Sequence, residues 1–188
     1  MSGRPRPTAR TLRVNRTNRI EDMQRTHVAK RPNGWDGVAP EGYVPGDATK
    51  VVRHTLIGGR KETPADPGPA TEVRYFAVPP GAVTRLEKHE HEHYVIVGEG
   101  TAHAIVGDDV REIRTHDVVY VGPWEVHQFV NTGETTFGFF CIVSAHRDIS
   151  QTLDANELAR LKASPAGAYA DPDGAPPPRK RETAATRG

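Results

Sequence analysis

The segment Lys88-His89-Glu90-His91-Glu92-His93-Tyr94-Val95-Ile96-Val97 decides how this chain folds. In an extended chain, side chains at i, i+2 and i+4 project to one face. As a strand, the segment therefore sets His89, His91 and His93 side by side and turns Glu90 and Glu92 to the other face. Three imidazoles in a protein interior are costly when protonated and need hydrogen-bond partners when neutral. A metal ion meets both conditions, because neutral imidazole ligates Zn, Cu, Fe and Ni. Taken alone, the segment also fits a solvated edge strand whose histidines face water.

Outward from this stretch, short β-rich segments alternate with turn signals. They are Val51–Ile57, Val73–Val78, His91–Val97, Thr101–Val106, Val110–Ile113, Val118–Val121, Val126–Val130 and Thr136–Val143. Gly and Pro clusters such as Pro79-Pro80-Gly81, Gly98-Glu99-Gly100 and Gly122-Pro123 separate most of them. Strands at this spacing predict an all-β sandwich or small barrel rather than βαβ units. Asp154 and Glu157 have capping-box spacing, and Leu158 and Leu161 share a helical face, so a short helix over about 154–163 is expected to pack on the barrel.

Residues 1–31 carry nine arginines and lysines against Glu21 and Asp22, with few apolar side chains. Such a segment cannot offset its ordering entropy and is expected to be a disordered basic arm. No aromatic residues interleave its arginines, which argues against base stacking on a nucleic acid. Residues 164–188, rich in Pro, are expected to form a second disordered tail, leaving residues 32–150 as the barrel with an N-terminal extension and 151–163 as the helix. The chain has 188 residues, room for one domain. Its net charge of +1 gives no electrostatic reason to expect nucleic acid or membrane partners. No apolar run approaches the roughly 20 residues that span a bilayer, and no secretory signal is evident. With Cys141 as its single cysteine, the chain is expected to be cytoplasmic.

Asp117 to Pro123 read as a strand entering a tight turn, after which His127 opens the next strand. Together with the histidine segment, this region resembles the cupin superfamily, whose motifs are G-x5-H-x-H-x3,4-E-x6-G and G-x5-P-x-G-x2-H-x3-N. His127 and Asn131 match the His-x3-Asn ending, Gly122 holds the proline position, Trp124 the second glycine, and His116 the place of the first. In the first motif His89 and His91 supply the histidine pair, His93 stands at the glutamate position and Gly100 matches the closing glycine. Gly81 is two residues too far from His89, and the spacing from His91 to His93 is short.

The resemblance spans about residues 50–145 and implies a jelly-roll barrel. It also implies one divalent metal ion (Fe, Mn, Cu, Ni or Zn) held by His89, His91, His93 and His127. Glu90 and Glu92 should point away, and Glu87 approaches the ion only if the strand bulges. Many histidine-rich single-domain cupins are dioxygenases, so the resemblance implies an oxygen-dependent enzyme acting on a small organic acid, diketone or phenolic compound. A non-redox isomerase or lyase, and a non-catalytic binding or sensing module, are the alternatives. Glu125 and Tyr120 are candidate proton carriers, while Cys141, in an apolar run, reads as a small core residue. Cupins commonly pair through edge strands, so a homodimer through residues 51–57 is expected.

Overall fold

The computed structural model describes residues 27–43, 50–59 and 68–174. Eleven strands are described: β1 Lys30–Arg31, β2 Gly34–Trp35, β3 Glu41–Gly42, β4 Val52–Ile57, β5 Thr71–Val78, β6 His93–Glu99, β7 Thr101–Val106, β8 Asp109–Arg114, β9 Val118–Val121, β10 His127–Val130 and β11 Phe137–Ser144. One sheet runs β3-β4-β5-β11-β6-β9, a second β10-β7-β8, and β1 pairs with β2. All named pairings are antiparallel. This is the all-β barrel expected from the turn spacing, of the jelly-roll kind that the resemblance implies, with one α-helix among the described residues, α1 (Ala155–Ala163), behind it.

Strand alternation builds the interior. On β6, His93, Val95 and Val97 are buried while Tyr94 and Ile96 face out. Beside it, Phe137, Phe139, Cys141 and Val143 of β11 point inward, as do Phe76 and Val78 of β5. These side chains meet Ala102, Ala104, Ile113 and Phe129 from the smaller sheet in one apolar cluster. β10 is buried on both faces and β7 is covered outside at Ile105, because Ile105 and Val130 pack outward against Leu161 and Ala166 of the C-terminal segment. Hydrophobic burial of that second face is what α1 supplies.

The helix begins as the sequence predicts. The Asp154 carboxylate accepts from the Asn156 and Glu157 N–H groups at 2.8 Å each, and the Glu157 carboxylate accepts from the Asp154 N–H at 2.9 Å. The tail expected to be disordered from Ser164 is instead described as far as Gly174. A short 3-10 turn spans Pro165–Ala168, the Tyr169 ring stacks on His103 with centroids 4.2 Å apart, and the backbone of Asp171 bonds the fully buried Gln128 amide. Contacts with β10 and β7 hold it where composition alone predicted a tail. The basic arm expected over residues 1–31 lies outside the described residues up to 26, and its end forms β1.

The expected strands from Val51 onwards are found within two residues of their bounds, and two expectations change. The strand expected from His91 begins at His93, because the Asp148 carboxylate accepts the N–H groups of Glu90 and His91 at 2.9 and 3.0 Å and removes them from the ladder. β4, the expected free edge, is partly covered: Glu41 and Gly42 of β3 pair with Arg53 and Val52. Among the described residues, no helix is long and apolar enough to cross a membrane.

Candidate metal centre

Four histidines converge on one side of the barrel interior. Ring centroids of His89 and His91 are 3.6 Å apart, those of His89 and His93 4.5 Å, and His127 lies 4.7 and 5.1 Å from His89 and His93. Strand alternation does not produce this arrangement. Only His93 sits on β6, and His127 opens β10, whereas His89 and His91 come from the loop before β6. That loop is tied down at several points: Glu87 forms a bridge with His127, Lys88 forms another with Gln151, and the Trp124 N–H donates to the His89 carbonyl at 2.7 Å. The last bond joins the two histidine segments directly.

Hydrogen bonding fixes which ring nitrogen each histidine offers. The Nδ1–H of His89 donates to the His91 carbonyl at 2.7 Å, and the Nδ1–H of His127 to the Glu125 carbonyl at 2.9 Å. Both Nε2 atoms are buried without a partner. A backbone acceptor on one ring nitrogen and an orphaned lone pair on the other is the arrangement metal-ligating histidines show. His91 is oriented instead by Asp148, whose Oδ1 lies 2.6 Å from its Nδ1. The Nε2 atoms of His91 and His93 face each other at 3.2 Å, close to the roughly 3.3 Å between two nitrogens sharing one tetrahedral ion. Candidate ligand atoms of His89, His93 and His127 all lie within 4.8 Å of one another, as do those of His89, His91 and Asp148. The residues fit a divalent ion.

Electrostatics keeps the rings neutral. Burial, reinforced by the neighbouring imidazoles, lowers His89 to about 4; burial likewise lowers His127 to about 4. The same causes depress His93 further, and burial lowers His91 despite Asp148. For Asp148, burial acts upward but is outweighed by the N–H groups of Glu90 and His91 and the His91 ring, which hold it at about 2. Neutral imidazoles and an ionised aspartate are the forms that receive a cation.

The cluster opens into a cavity of about 210 Å³, room for a small metabolite. His91, His93 and His127 line it together with Glu87, Asp148, Cys141, Thr84, four aromatic rings and four arginines, Arg53, Arg74, Arg85 and Arg147. Cys141 is a buried core residue, as its apolar run predicts, but its Sγ also faces this cavity, 3.5 Å from His93 Nδ1 and 3.3 Å from Arg74 Nη2. Glu87 lines the cavity with Oε2 unpartnered.

Glu125 and Tyr120 are not among the lining residues. The Glu125 carboxylate accepts the Gly122 N–H at 3.0 Å and closes the turn before β10. Tyr120 is on the outer face of β9, where its hydroxyl and that of Tyr94 donate to Glu92. His103 lies within β7 and bonds Thr132.

Sequence reading had missed Asp148, Tyr43 and the arginines. Arg74 carried one signal, a charged residue whose strand neighbours are Val73, Tyr75 and Phe76. Asp148 carried none, since its role depends on a loop 57 residues away.

Fold and site together define a small β-barrel with a histidine cluster at the mouth of a charged internal cavity. The chain belongs to the cupin superfamily: the cupin domain family model matches residues 74–143. A 1-methylthio-D-xylulose 5-phosphate methylsulfurylase of Rhodospirillum rubrum is 36% identical over 137 residues, covering 70% of this chain and 82% of the relative. A cupin-2 domain crystal structure from the same organism matches with a TM-score of 0.63 at 34% identity, over 77% of this chain and 93% of the other. A cupin 2 domain-containing protein from Halorhodospira halophila matches with a TM-score of 0.57 at 39% identity, over 75% and 91%.

Proposed function

We propose that this protein is a metal-dependent enzyme acting on a small phosphorylated ketose that carries a methylthio group beside its carbonyl. The observation that carries the reading is the pair of orphaned Nε2 atoms on His89 and His127, next to His93 and an arginine-lined cavity. The relative's name adds the substrate class, a methylthio ketose phosphate. A divalent ion bound by His89, His93 and His127, with His91 adjoining, supplies Lewis-acid polarisation of a carbonyl.

The protein's own groups do the rest. Phe76, Phe129 and Phe139 form an apolar part of the cavity wall, and charges beside such low-dielectric surface interact more strongly than in water. Glu87, whose buried Oε2 has no hydrogen-bond partner and lies 3.9 Å from Arg85 Nη1, is the carboxylate in that cavity placed to move a proton; Asp148 instead keeps the His91 ring in position. The test is to load the protein with Mn, Fe, Ni, Cu or Zn and incubate it with 1-methylthio-D-xylulose 5-phosphate, with and without a thiol. Transfer of the methylthio group to the thiol is the expected result: the C1–S bond breaks, the sulfur forms a methyl disulfide with the thiol, and the thiol's proton ends on C1 of the 1-deoxy ketose phosphate, both products being followed by proton NMR and lost on chelation. No release with any metal overturns the reading.

The dioxygenase reading draws on the donor set. With neutral imidazoles as ligands the ion keeps its full dipositive charge, which favours direct binding of an enolate, carboxylate or phenolate. It predicts oxygen uptake with an organic acid, diketone or phenol and none under chelation; turnover that persists under strict anaerobiosis excludes it.

A further inference from the structure

Resting on the sugar-phosphate reading above, we propose that Arg74, flanked by Arg53 and Arg147 and joined by Arg85, is the seat of the substrate's phosphoryl group. The four arginines share the wall of one cavity, and what partners they have is instructive. Arg53 pairs with Glu41, and Arg147 Nη1 donates to Glu72 Oε2 at 2.8 Å. Arg85 lies 3.9 Å from Glu87 and over the Tyr43 ring. Neither Glu41 nor Glu72 lines the cavity, so these pairs put no carboxylate into the cavity itself.

Arg74 differs. It is 92% buried (8% exposed), and among the described residues no carboxylate pairs with it. Its one described side-chain hydrogen bond is to the Cys141 sulfur, and it lies over the Phe76 ring. The Nε atoms of Arg53, Arg74 and Arg85 are all buried without an acceptor. A buried guanidinium without a counter-charge is strongly unfavourable. Arg74 is in that position among the described residues, and Arg53, Arg85 and Arg147 on the same wall, although each has a carboxylate partner, add their positive charge to its field. The field of Arg74 and Arg53 adds to burial in lowering Arg147.

A dianion resolves this accumulation. One carboxylate satisfies one arginine fork, whereas a phosphoryl group presents three oxygens and about two charges, matching several forks at once. Strand geometry explains the placement: Arg74 is directly opposite Cys141 on β11 and two residues from Phe76, which faces Phe139. The sheet thus presents an anion seat, a thiol and His93 along one inner face.

The test uses the metal-loaded full chain. Calorimetric titration with D-xylulose 5-phosphate and with D-xylulose should show binding that depends on the phosphate. Arg74→Gln should weaken the phosphorylated ligand by about tenfold or more and leave the sugar unchanged. Arg53→Gln, at a more exposed position, should weaken it in the same direction and serves if the buried variant does not fold, as judged by circular dichroism and metal content. Equal affinity for the two ligands in the parent protein overturns the assignment, as does unaltered affinity in both folded variants. The two readings separate cleanly. Phosphate-dependent binding without methylthio release leaves the arginine seat standing and removes the proposed reaction. Methylthio release that is indifferent to the phosphate does the reverse.

Discussion

Each of the four histidines has its own reason for its position. His89 and His127 have their Nδ1 atoms committed to carbonyls, so their Nε2 lone pairs have no partner but an ion. His89→Ala and His127→Ala should each lower bound metal, measured by elemental analysis after desalting, to well below one ion per chain. Asp148 acts through His91, accepting two N–H groups of its loop as well as the ring. Asp148→Ala should weaken metal affinity by about 10- to 100-fold while leaving the far-UV spectrum intact; an unchanged affinity in competition with a chelator would refute that role. Asn131, the closing residue of the second motif, works on the backbone. Its amide donates to the Val78 and Thr135 carbonyls at 2.7 and 2.9 Å and its oxygen accepts from Gly133.

At the scale of elements, the turns show what the motif glycines are for. His116 and Trp124, at the two glycine positions of the second motif, have φ of 77° and 63°. A side chain in the left-handed region costs roughly 1 kcal/mol. His116→Gly should therefore raise the denaturation midpoint, by an amount equivalent to about 0.5–1 kcal/mol. Gly100, which the sequence also matched, has φ of 74°, and a Cβ there would lie 2.4 Å from the Thr136 carbonyl oxygen. β10 depends on its outer face as well. The buried Gln128 amide donates to the carbonyls of Thr84 and Asp171 at 2.8 and 2.7 Å and accepts from the Asp171 N–H at 2.9 Å. Gln128→Ala removes these three hydrogen bonds, leaves the buried Thr84 carbonyl without this donor, and should cost about 2 kcal/mol in urea unfolding. A loss below a few tenths would show that the segment after α1 does not brace β10.

For the whole molecule, the buried imidazoles tie stability to pH. His89 and His127 bind protons at about 4 in the folded protein, against about 6.5 in an unfolded chain. Between those values the unfolded state holds more protons. The stability of the metal-free protein is therefore complete above about pH 6.5 and declines as pH falls towards 4, by up to about 1.4 kcal/mol per pH unit for each ring. Urea titrations of chelated protein at pH 7.5 and 5 should show the difference, and bound metal should shift the loss to lower pH. Exposed Tyr94, Ile96, Val118 and Tyr120 form an apolar strip on the outer face of β6 and the edge strand β9. With β4 partly covered by β3, this strip is the better surface for the expected dimer; a one-chain mass by light scattering would remove it.

Sequence alone determined the strands from β4 to β11 to within two residues, the capped helix and the two histidine-bearing segments, because these are local patterns: alternation, turn residues and motif spacing act between near neighbours. Even the positive-φ turns were legible as glycine positions filled by His116 and Trp124. How the histidines meet was not, since His89 and His91 reach the cluster through a loop fastened by Asp148, Gln151 and Trp124 rather than through strand periodicity. The arginine wall was equally hidden. Arg53, Arg74, Arg85 and Arg147 stand far apart along the chain, and only the closure of the barrel makes them neighbours of one cavity. Pairing across strands, and the burial it brings, is decided by the whole fold; that is where charges spread through a sequence become a site.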